Sequence, residues 1–115
     1  MVEPGEFIAV AERLAIDPSE AGQRSAISRA YYGAFLHLRE AALDRGDLEP
    51  SRSGSVHSQV HAITTSWNRR HAAWLKTLRE MRNTADYDIH QAVSDEAAVY
   101  AIDLARRILR FQPPA

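Results

Sequence analysis

A chain of 115 residues with 45% apolar content is the size and balance of one folded domain. It has no cysteine, which excludes a disulfide framework and any zinc site built on thiolates. The net charge of −1 excludes a general polyanion binder, so any positive field must be local.

The N-terminus, Met1-Val2-Glu3-Pro4-Gly5-Glu6, has neither a basic leader nor a long apolar run, and no stretch approaches a membrane span. A cytoplasmic protein with no membrane contact is the expectation. Charge is nevertheless segregated. Residues 1–20 carry five acids with Arg13 alone opposing them, residues 67–82 carry five basic side chains against Glu80, and residues 83–103 carry five acids without Lys or Arg. Thirteen of the fourteen basic residues are Arg, the side chain suited to bidentate phosphate contacts, although a GC-rich genome would favour it as well.

Five helices and no strand are predicted. The first covers about residues 5–16, with Phe7, Ala11, Leu14 and Ala15 at three- and four-residue spacing. Asp17-Pro18-Ser19-Glu20 then reads as a helix start, with Asp17 as cap and Pro18 in the first helical position. The second helix runs from there to about Arg45, stops at Gly46 and carries an apolar stripe of Ile27, Tyr31, Ala34, Leu38 and Ala41. Residues 46–55 are rich in turn formers and read as a mobile surface loop. A third helix is expected over 56–67, and a fourth from about 70 to 86 or beyond. In the fourth, Trp74, Leu78, Met81 and Ala85 share an arc of about 60° at about 100° per residue. Ser94 caps a fifth helix ending near Phe111. Short connections predict one all-α, antiparallel up-and-down bundle of four to five helices spanning 1–115.

The segment from Leu78 to His90 concentrates the polar chemistry. If the fourth helix continues, Arg79, Asp86, His90 and Asn83 fall at about 140°, 120°, 160° and 180° from Trp74, on one face, with Arg82 at its edge near 80°. A guanidinium for phosphate, an amide for orientation and an imidazole for proton transfer are the groups a ribonuclease without metal uses. On an unbroken helix, however, Arg82 and His90 stand roughly 12 Å apart along the axis, which requires a bend after Tyr87 or a site shared across a dimer. The plainer explanation is a solvated face on which Arg82 and Asp86 form an i,i+4 pair. His57 and His61 have the i,i+4 spacing of metal ligands, but no glutamate lies between them, and surface or core histidines are the simpler assignment. His37 reads as a packing residue, and Tyr31 and Phe35 as core. Ser25, Ser28, Arg29 and Tyr32 form a second polar side of the second helix. No phosphate loop, nucleophile elbow or paired catalytic carboxylates is present.

Arg24-Ser25-Ala26-Ile27-Ser28-Arg29-Ala30-Tyr31-Tyr32-Gly33-Ala34-Phe35 resembles the second-helix signature of small prokaryotic HEPN (higher eukaryotes and prokaryotes nucleotide-binding) proteins. The segment Leu78–Tyr87, with its Arg-Asn-Thr-Ala-Asp-Tyr core, is similar to the fourth-helix motif of the same group, and together the two motifs extend the resemblance over about residues 20–112. The resemblance implies a helical bundle that pairs into a homodimer. Nuclease members carry Arg, a polar residue, four to six residues and then His, which Arg82, Asn83 and His90 match at the longest spacing. It therefore implies a metal-independent endoribonuclease, needing no cofactor, in which the ribose 2′-hydroxyl attacks its own phosphate. Arg82 would stabilise charge, His90 assist proton transfer, and Asn83 orient both, while Arg79, Arg82, Asp86 and Tyr87 contact the RNA. Such a protein would be the toxin half of a pair with a nucleotidyltransferase-like antitoxin. That branch often has a tyrosine two residues after the histidine, where this chain has Ala92. The alternative is a non-catalytic HEPN module that binds a nucleotide, a nucleic acid or a partner nucleotidyltransferase through the same cleft.

Overall fold

The structure is a computed structural model that describes residues 1–49 and 55–114. Its described elements are α1 (Pro4–Ala15), α2 (Glu20–Asp44), α3 (Val56–Trp67), α4 (Arg69–Tyr87) and α5 (Asp95–Leu109), with no strand among the described residues. The expected all-α bundle is what forms. Half of the surface loop expected at residues 46–55, namely 50–54, lies outside the described residues.

Each helix start has a local cause. Pro4 occupies the first turn of α1, and Glu3 and Glu6 form a reciprocal capping box there. The second start differs from expectation by two residues. Ser19, not Asp17, is the N-cap of α2, its Oγ accepting from the Gly22 N–H at 3.0 Å. Asp17 instead accepts from the Ser19 N–H at 2.8 Å, a turn that pre-shapes the entry. α2 then runs unbroken through Gly33. At its end Gly46, with φ 76°, takes the left-handed position, Asp47 N–H reaching Ala42 O and Gly46 N–H reaching Leu43 O. α3 and α4 are separated by Asn68 alone, whose side chain caps α4 by accepting from the His71 N–H. Ser94 caps α5 as expected.

α2 is the axle of the fold, packing against α1, α3, α4 and α5. That role explains why it is buried on most sides, Ala26, Ile27, Ala30, Tyr31, Ala34, Phe35, Leu38 and Ala42 all lying within the core. Ala42 replaces the expected Ala41 on this stripe, which is only half-buried. Gly33 permits a close approach to α1, since a Cβ there would sit 2.7 Å from Ile8 Cδ1 and 3.0 Å from the Pro4 carbonyl oxygen. Gln23 is also buried, and its side-chain amide donates to the Ala15 and Asp17 carbonyls, closing the end of α1. Of the expected polar side of α2, Ser25 stays exposed while Tyr32 packs edge-on against Phe7 and Ser28 is buried against α4. No helix among the described residues is long and apolar enough to cross a membrane.

Candidate functional site

α4 does not carry its helical register to His90. It ends at Tyr87, where Asp88 leaves the helical region at φ −99°, ψ 77°, and residues 88–91 turn back toward α5. The face on which His90 was expected beside Asn83 and Arg79 therefore stops short of it.

The cause is Arg24 on α2. Its guanidinium donates to the Thr84, Ala85 and Asp88 carbonyl oxygens, each at 3.1 Å, and to the Gln91 carbonyl. One partly buried side chain thus serves carbonyls of the α4 terminus and fastens the turn bearing His90. Glu20, one turn earlier on α2, balances its charge at 2.9 Å. Sequence spacing gives no sign of this role, because Arg24 is some sixty residues away in the chain. His90 itself is exposed on the turn.

Arg82 occupies the edge position expected for it. Its Nε lies 3.0 Å from Asp86 Oδ2, and the same oxygen accepts from Ser28 Oγ at 3.1 Å. Arg82 also donates to Asn83 Oδ1 at 3.2 Å, which links the two residues expected to act together. Its guanidinium lies 5.4 Å from the Tyr87 ring centroid and 5.9 Å from that of Tyr31. Tyr87 is 71% exposed, so a large aromatic face stands open beside a cation at the end of α4.

Side chains of α2, α3 and α4 line an open pocket of about 230 Å³, formed by Tyr31, His57, Ser58, His61, Leu75, Lys76 and Arg79. Two of these residues are joined in a way their spacing does not show. Tyr31 packs in the core as expected, yet its hydroxyl is hydrogen-bonded to His57 Nδ1. His57 in turn stacks on Phe35 with ring centroids 4.3 Å apart. Burial pushes the Tyr31 phenol up to about 12, against the opposing pull of Arg79 and Arg82, so at neutral pH it is a donor. Burial first, and then the fields of Arg79 and Arg82, hold the His57 imidazole below its ordinary value. A neutral His57 accepting through Nδ1 carries its ring proton on Nε2. The i,i+4 spacing of His57 and His61 thus serves a polar pocket wall, and among the described residues no group of three metal-ligating side chains forms. His37, by contrast, is the packing residue expected, its Nε2 bonded to the Phe111 carbonyl.

An uncharacterized protein of Methanocaldococcus jannaschii is similar to this chain, with 33% identity over 110 aligned residues covering 77% of this chain and 62% of that protein. The chain thus spans about three fifths of that relative's length. No protein-family profile matches it.

Proposed function

We propose that the chain is a HEPN-type RNA-binding module whose contact surface is the outer face and C-terminal end of α4. The observation that carries this reading is the exposed Tyr87 ring lying against the Arg82 guanidinium, on the helix that also bears Arg79 and Lys76. An open aromatic face beside cations binds single-stranded nucleic acid by stacking a base and attracting its phosphate. Asp86 offsets part of the Arg82 charge, which suits reversible binding better than tight grip on a reacting phosphate. Electrophoretic mobility shift with single-stranded RNA tests the reading. Binding that falls on Arg79→Ala supports it, and no retardation at low salt removes it.

A second reading, the metal-independent endoribonuclease acting as the toxin of a toxin–antitoxin pair, is favoured by a separate observation. Arg82 is bonded to Asn83, and Arg24 ties the turn bearing His90 to the same end of α4. In this reading two copies combine their Arg82 and His90 groups across a two-fold axis, and a nucleotidyltransferase-like antitoxin covers them. Cleavage of RNA that persists in EDTA and disappears in His90→Ala selects it. Wild-type protein that binds RNA without cutting it leaves the binding module.

A further inference from the structure

His57 and the outer surface of α4 share two cations. Arg79 lines the same pocket as His57 and carries no ion pair among the described residues. Arg82 reaches the imidazole through Tyr31, whose ring centroid lies 5.9 Å from the guanidinium and whose hydroxyl is bonded to His57 Nδ1. The other groups facing His57 are Ser58 and His61 from α3 and Lys76 from α4, and no carboxylate lines the pocket. Asp86 pairs with Arg82 at 3.0 Å and screens part of its charge, so Arg79 carries the larger share of the field. Burial first, and then these two cations, keep the imidazole uncharged at neutral pH.

We propose that RNA binding on the α4 surface draws a proton onto His57, so that the surface holds RNA more tightly in mild acid than at neutral pH. The proposal rests on the RNA-binding reading above and adds a regulator to it. Each phosphate that pairs with Arg79 or Arg82 cancels part of the positive field at His57, which lowers the cost of charging the ring. A group whose midpoint is higher in the complex than in the free protein binds more protons there, so affinity gains as pH falls. The gain is fully present below the midpoint of the free protein and absent above that of the complex. The link to Tyr31 survives the proton, because a hydroxyl that donates to neutral Nδ1 can turn and accept from Nδ1–H. Acid thus changes the charge beside α4 without breaking that bond between α2 and α3.

Two measurements on the whole chain test it, with a single-stranded oligouridine as the ligand because its bases keep their charge in this range. Proton NMR of the His57 ring gives its midpoint with and without the RNA, and fluorescence anisotropy gives the affinity at pH 7.5 and pH 5.5. The midpoint rises when RNA is bound. Between the two pH values the wild type gains about threefold to tenfold more affinity than His57→Gln, the effect of a midpoint raised by up to about one pH unit. At pH 7.5 the two proteins bind alike, since His57 is then uncharged in both states. Without any RNA, Arg79→Gln raises the His57 midpoint by itself, which tests the field apart from the ligand. RNA that binds while leaving the His57 midpoint unchanged, or an equal acid gain in His57→Gln, overturns the coupling and leaves the α4 surface standing. Weaker binding of His57→Gln already at pH 7.5 also overturns it, by making His57 an RNA contact. No binding of oligouridine at either pH removes the surface reading and the coupling together.

Discussion

Asp86 Oδ2 accepts from Ser28 Oγ at 3.1 Å while pairing with Arg82 Nε at 3.0 Å, so one carboxylate joins α2 to α4 and restrains the cation nearest the exposed Tyr87. Asp86→Asn keeps an oxygen for Ser28 but removes the negative charge. It is expected to cost about 1 kcal/mol of stability, both partners being partly solvated, and to strengthen RNA binding a few-fold by releasing Arg82. Urea denaturation and RNA titration of the same preparation check the two halves. Weaker RNA binding with unchanged stability would mean that Asp86 touches the ligand itself.

Arg24 offers a structural test of the α4 terminus. Arg24→Gln removes a charged donor from four carbonyls and should cost roughly 2–3 kcal/mol. Native-state hydrogen exchange should show the amides of Asp88 and Gln91 losing protection before the rest of α4. A uniform loss across all helices would instead make Arg24 a general core residue.

The helical frame was legible because its signals are local. The Val56–Trp67 helix, the Gly46 stop and the Ser94 cap each follow from a few adjacent residues, and each appears where expected. At the start of α2 two capping side chains compete within three residues, and there the local signal misplaces the boundary. The pocket was not legible, since Tyr31 and His57 read as ordinary core and surface residues until packing brings α3 across α2. His90 follows the break after Tyr87 that its distance from Arg82 had required, but what fastens its turn was not legible. That contact comes from Arg24, which reaches the α4 terminus from another helix.

Gly33 marks a close approach of α1 to α2. Gly33→Ala pushes a methyl against Ile8 and the Pro4 carbonyl and should destabilise the fold by about 1–3 kcal/mol despite the better helix propensity of alanine. Thermal unfolding monitored at 222 nm measures it. An unchanged or raised midpoint would show that α1 yields without cost.

Two histidines predict how stability depends on pH. Burial holds His57 and His71 below the ordinary 6.5, helped by Arg79 and Arg82 at His57 and by Arg70 at His71. The unfolded chain therefore binds protons more readily than the native one as pH falls below 6.5. Their contribution is fully present above that value and is lost as pH drops through the folded midpoints. Urea midpoints should decline from pH 7.5 to pH 5, and His57→Gln should flatten part of the decline. A midpoint rising toward acid would reverse the sign assigned to both groups.

The central claim is that an aromatic ring and cations on α4 form an RNA contact surface. Fluorescence anisotropy with a labelled single-stranded RNA, at two salt concentrations, tests it on wild type and Tyr87→Ala. Tyr87 is exposed, so its removal should leave the fold intact while reducing affinity by about 1–3 kcal/mol, the cost of one lost stacking contact, and binding should weaken as salt is raised. Equal affinity of Tyr87→Ala and wild type, or the absence of RNA binding at the lower salt, would contradict the account.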